Sequence, residues 1–117
     1  MPWWKLESQD KQWRKKAAPY LEPGESLDAV IGAARARAID MLVVATNRRI
    51  LLLKVKFSGA IDSVIQELPR STRLGPPKGT VRYYPPVLGG SEFVNRVFWD
   101  EIRRADAALD EQAPRTP

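Results

Sequence analysis

The stretch Met41-Leu-Val-Val-Ala-Thr-Asn-Arg-Arg-Ile-Leu-Leu-Leu-Lys-Val-Lys-Phe57 is the longest apolar segment of the chain, broken once by Thr46-Asn47-Arg48-Arg49. Its first arm is rich in β-branched and apolar residues. The second alternates Leu51, Leu53, Val55 and Phe57 on one face with Ile50, Leu52, Lys54 and Lys56 on the other, the period-2 pattern of a half-buried strand. The segment therefore reads as a β-hairpin with strands near Met41–Thr46 and Arg49–Phe57. Asn47 suits the turn because its side chain tolerates the left-handed backbone of tight hairpin loops, and with no glycine after it the turn type stays open.

Two absences remove whole classes of chemistry. The chain has no cysteine, which excludes disulfides, thiolate nucleophiles and thiolate metal sites together. It has no histidine either, so a His-based triad, an imidazole base and a His-ligated zinc are excluded in one protomer. Carboxylate and lysine chemistry remain. At 117 residues the chain matches one domain able to bury a core without metal or disulfide staples. Met1-Pro-Trp-Trp-Lys5 runs straight into charges, so no secretory signal peptide is expected. The hairpin's apolar run meets two arginines after about six residues, far short of the roughly 20 needed to cross a bilayer. The expectation is a cytoplasmic protein, with peripheral association at a membrane as the alternative.

The remaining elements follow from periodicity and punctuation. Residues 1–20 form an N-terminal amphipathic helix, with Leu6, Trp13, Ala17 and Tyr20 on a common face and Pro19 and Pro23-Gly24 ending it. Ser26–Ala36 is a first strand, although its alanines are also good helix formers. Ser63–Leu68 is a further strand stopped by Pro69. Between Pro69 and Gly90, glycines and prolines separate the short candidate strands Thr72–Leu74, Thr80–Tyr84 and Glu92–Arg96, and such spacing argues for a barrel or sandwich. Phe98, Ile102, Ala105 and Leu109 mark a C-terminal helix over 97–112, with Asp100 and Glu101 at the positive end of its dipole and Asp100 paired to Arg103 and Arg104. Residues 113–117 read as a frayed tail.

Leu42-Val-Val-Ala-Thr-Asn-Arg-Arg-Ile-Leu-Leu-Leu53 is similar to the strand, Thr-Asp/Asn-Arg-Arg turn and strand of bacterial pleckstrin-homology-like domains. Leu88-Gly-Gly-Ser-Glu-Phe-Val-Asn-Arg-Val-Phe-Trp-Asp-Glu-Ile-Arg-Arg-Ala-Asp106 is similar to the last strand and helix of an actinobacterial subgroup. The resemblance covers about residues 21–110. It implies a mainly β (α+β) fold: an antiparallel barrel or sandwich of about seven strands over 21–112, capped by the C-terminal helix, with the N-terminal helix added. It also implies a non-catalytic binding or assembly module, recognising a protein or peptide partner or self-associating. The Lys-x-n-Arg-x-Arg set of phosphoinositide binders is not met, since the first strand offers Arg35 and Arg37 without a lysine beside them.

The formal charge of +5 permits attraction to phosphates, anionic lipid or an acidic protein surface without choosing among them. Arg48, Arg49, Lys54, Lys56, Arg70 and Arg73 form the candidate anion or lipid patch, Lys54 and Lys56 sharing one strand face. Trp3, Trp4, Trp13, Lys15, Lys16 and Trp99 are the candidate interfacial or partner contacts. A peripheral membrane domain is the competing reading. Nucleic-acid binding through cations interleaved with Trp13, Phe57, Tyr83 and Tyr84 is the weakest of the three, because no recognised motif accompanies them. Among Asp28, Asp40, Asp62, Glu67, Asp100 and Glu101, no spacing sets two carboxylates face to face on one element, apart from Asp100 and Glu101 with their helix role. Neither a catalytic residue nor a metal or cofactor site is expected.

Overall fold

The computed structural model describes residues 11–36 and 38–112. Helix α1 (residues 11–17) runs into a 3₁₀ turn at Ala18–Tyr20. Strands β1 (Leu27–Ala34), β2 (Ile39–Thr46), β3 (Arg49–Val55), β4 (Ile61–Pro69), β5 (Arg82–Tyr83) and β6 (Phe93–Asn95) follow, and helix α2 (Trp99–Gln112) closes the order. The strands form one antiparallel sheet in the order β4-β3-β2-β1-β6-β5.

The hairpin is the centre of this sheet, as its patterning requires. Val43 pairs with Leu52 and Val44 with Leu51, so each face of the sheet receives its own apolar row. Ile50 and Leu52 join Ile31, Val43, Val94, Phe98 and Ile102 beneath α2. Leu51, Leu53 and Val55 join Val30, Leu42, Val44, Trp13 and Ala17 beneath α1. The half-buried strand expected from alternation is thus buried on both faces. A strand apolar at every position calls for a cover on each side, and the two helices supply them.

Several details differ from the sequence reading. Among the described residues six strands form an open sheet, where about seven in a barrel or sandwich were expected. Thr72–Leu74 is not a strand; Leu74 is buried in coil, and its N–H and that of Gly75 donate to the Asp106 carboxylate at 3.0 and 2.9 Å. A side chain there takes the place of a ladder partner. Thr80–Tyr84 and Glu92–Arg96 contract to β5 and β6. Strand β3 ends at Val55, and Phe57, expected on the Leu51 face, is fully exposed in the following loop. Asn47 does not adopt the left-handed conformation, since no non-glycine residue described has positive φ. Its Oδ1 instead accepts the Ser26 N–H at 2.9 Å, and the Thr46 hydroxyl builds the turn by accepting the N–H groups of Arg48 and Arg49. In α2, Arg103 pairs with Asp100 as expected, whereas Arg104 turns to Glu101.

β1 is the strand on which both helices converge. On one side it pairs with β2 along its length. On the other, β6 pairs only with Ala33 and Ala34, and the earlier part of that edge is left without a strand. There the Val30 N–H donates to Glu101 Oε2 at 3.1 Å. The same carboxylate accepts two bonds from Arg14 of α1, at 3.0 and 2.8 Å, across 87 positions of sequence. One buried side chain therefore ties α2, β1 and α1 together.

Removing the Glu101 carboxylate leaves the buried Val30 N–H without its acceptor, at about 1–3 kcal/mol. Glu101→Ala is accordingly expected to lower unfolding stability by that amount in denaturant titration. The adjacent Asp100→Ala, whose carboxylate is exposed, is expected to cost no more than about 0.5 kcal/mol. Equal effects of the two substitutions would remove Glu101 from this role.

Candidate functional site

The six residues of the expected cationic patch divide into interior and exterior groups. Arg49 leaves the turn to meet Glu25, with Nε to Oε2 at 2.9 Å and Nη2 to Oε1 at 3.0 Å, and its Nη2 also reaches the Tyr20 carbonyl. The Glu25 carboxylate is wholly buried and also accepts the Thr46 hydroxyl at 2.6 Å. Arg49's hydrogen bonds hold that carboxyl down at about 2, against the opposing effect of burial, and Glu25 in turn raises the guanidinium above its usual value. Arg70 is also buried: its Nε donates to the Thr46 carbonyl, and Nη2 donates to the Ala105 carbonyl at 2.8 Å and to Asp28 at 3.1 Å. Arg73 is exposed and paired with Asp110. Lys56 lies 3.9 Å from Asp62. Arg48 and Lys54 are exposed, but they stand near opposite ends of β3, roughly 20 Å apart at strand spacing. The structure does not gather the six into one patch.

The expected partner contacts divide in the same way. Trp3 and Trp4 lie outside the described residues. Trp13 is buried in the α1-face core, and Lys15 is exposed. Lys16 places its ammonium 4.7 Å from the Trp13 ring centroid and donates to the Gly59 carbonyl at 2.8 Å. Trp99 is half-buried against the α2-face core, with its indole N–H donating to the Val94 carbonyl at 3.1 Å. The two described indoles thus serve the fold. Of the other aromatic residues, Tyr83 is half-buried, and Tyr84, partly exposed, packs against Phe93 at 5.8 Å.

Two concave surfaces are open: one of about 540 Å³ lined by Arg73, Lys78, Tyr83 and Tyr84, and a groove of about 660 Å³ on the α1 side of the sheet. Gly32, Ala34 and Ala36 contribute small side chains along it, Trp13, Ile39, Phe93 and Phe98 form apolar walls, and Lys56 and Arg82 stand among its polar residues. Gly32 is fixed by close approach: a Cβ there would sit 2.6 Å from Ile39 Cδ1. The outer strand β4 is a further open feature. Among the described residues it pairs only with β3, most of its length is exposed, and Val64 and Ile65 are exposed at 47% and 49%.

A carboxyl pair joins residues that the sequence could not bring together. Asp40 follows Ile39 and Glu92 precedes Phe93, and Ile39 and Phe93 both pair with Ala34 from opposite sides of β1. Glu92 is buried, with Arg35 at 3.4 Å on one of its oxygens; its Oε2 and Asp40 Oδ1 are buried without another partner. Burial first, and then Asp40, push the Glu92 carboxyl up to about 7. Neither residue lines the groove, so the raised carboxyl and the concave surface are separate features. Nothing in the spacing of Asp40 and Glu92 signals this pair; only the β2-β1-β6 order creates it. Among the described residues, no three acidic side chains gather in a way that could hold a metal ion. Comparison with family models, with curated proteins and with solved structures finds no significant match.

The two carboxyls give opposite pH dependences. Glu92 has a raised pKa in the folded state, so its proton is retained on folding between about 4.5 and about 7. Its contribution is greatest below that window and is lost as pH rises through it. Glu92→Gln is expected to exceed the parent in stability at pH 8 by on the order of 3 kcal/mol and to match it near pH 4; identical pH profiles would contradict the pair. Glu25 is depressed to about 2, so its contribution is present above about 4.5 and is lost as pH falls through the window toward 2. Glu25→Gln is expected to cost on the order of 3 kcal/mol at pH 7, with the deficit shrinking in acid. Chemical denaturation across pH checks both.

Proposed function

We propose that the chain is a pleckstrin-homology-like module that binds and assembles without catalysing a reaction, adding an extended strand from a second copy or a protein partner at the β4 edge. The observation that carries this reading is β4 itself. It is nine residues long, outermost in the sheet, and exposed from Asp62 to Glu67, with a register break at Ile65. Its outer row of backbone N–H and C=O groups is the template that edge-to-edge pairing uses, with alternate side chains supplying specificity. The order of elements supports the fold assignment. An antiparallel sheet whose first strand bridges β2 and β6 is followed by one helix that buries its stripe against that sheet, and the Thr46-Asn-Arg-Arg49 turn joins β2 to β3.

The anionic-membrane alternative draws less support, because Arg49 and Arg70 spend their donors on internal acceptors. No described helix is long and apolar enough to cross a membrane.

Light scattering over a concentration series tests the edge. The parent is expected to rise in mass with concentration, and Ile65→Lys to remain monomeric with an unchanged melting temperature, since position 65 lies outside both cores. A parent that stays monomeric, with no mixed complex formed by a β4 peptide, overturns assembly at this edge. Salt-sensitive pelleting with anionic vesicles, abolished by Arg48→Gln and Lys54→Gln, would establish the membrane reading in its place.

A further inference from the structure

The groove on the α1 side has a chemistry that neither the core nor the β4 edge explains. Larger side chains at positions 34 and 36 would narrow it, yet alanines stand there. Phe93 forms one wall, and the Arg82 guanidinium lies over its ring at 4.4 Å. Arg82 is exposed and makes no ion pair among the described residues, unlike Arg35, Arg49, Arg70 and Arg73. A guanidinium stacked on a ring keeps its in-plane N–H groups free, in the fork that fits a carboxylate. Lys56, the groove's other cation, is already shared with Asp62 at 3.9 Å.

We infer that this groove binds an amphipathic monoanion: a carboxylate carried on an acyl or aryl body, with its head at Arg82 and its body along Phe93, Ile39 and Trp13. Arg82 is a groove cation with no ion-pair partner among the described residues, and its planar fork fits a single carboxylate head. A cavity near 660 Å³ lies within the roughly 300–1,000 Å³ of small-ligand sites, which are mostly apolar with a few polar groups fixing orientation. The site is independent of strand addition at β4.

Isothermal titration of the full chain with decanoate, kept below its micellar threshold, tests the proposal. Saturable binding with one equivalent is expected. Replacing decanoate by 1-decanol, or Arg82 by Gln, is expected to weaken it at least about tenfold, the loss typical of a charge-assisted contact. Ala36→Trp, at an exposed position on the groove, is expected to abolish binding while leaving the melting temperature unchanged, and Ile65→Lys is expected to leave it intact. Absence of saturable binding, decanol binding as tightly as decanoate, or affinity unchanged in both Arg82→Gln and Ala36→Trp would overturn the proposal.

Discussion

A single buried carboxylate, that of Glu101, takes the place of a missing strand. β1 is paired throughout on one side and only at its end on the other, so part of its edge faces the interior without a ladder. A buried N–H without an acceptor costs about as much as a lost hydrogen bond, and Glu101 removes that cost at Val30. The carboxylate so buried requires a cation, which Arg14 provides from the opposite face of the sheet. The position of α2 and the docking of α1 thus answer one demand. The apolar covers on both faces follow from that arrangement.

A second polar network fixes the corner where the hairpin turns. Glu25, Thr46 and Arg49 satisfy one another, and Arg70 clasps the end of β2 to β1 and to the middle of α2. Buried ion pairs contribute little net stability against an apolar replacement; their effect is to penalise any arrangement in which one partner is left alone. A hairpin so apolar on both faces gains from such a constraint, because a slip of one residue would exchange its two faces without exposing a polar row. The charges near the turn hold register, and for that reason Arg49 and Arg70 are not available to a ligand.

The central hairpin and α2 were legible because their signals are local. Alternation over Ile50–Val55 and the Phe98, Ile102, Ala105 stripe depend only on near neighbours, and both rows are buried as the spacing requires. The roles of Arg49, Arg70 and Glu101 were not legible. In a sequence an isolated charge reads as solvated, and each of these has a decisive partner 24 or more positions away. The Asp40 and Glu92 pair was hidden for the same reason, since β1 stands between them in the sheet and their spacing carries no trace of it. Asn47 shows a different limit: its propensity for turns is met, but by accepting the Ser26 N–H across the corner rather than through its own backbone angles. The groove was invisible because alanines and a glycine record no intention in a sequence. Their meaning is the space they leave.

The outermost strand has one more property. β4 gives little to either core, yet the chain on each side of it is anchored: Lys16 grips the Gly59 carbonyl before it, and Arg70 sits in its buried clasp after it. Such a span is a bowstring. It can separate from β3 by breaking one ladder of hydrogen bonds while both ends stay in place, so its opening is a local event well below global unfolding in free energy. Opening of β4 therefore leaves both helices seated on the sheet.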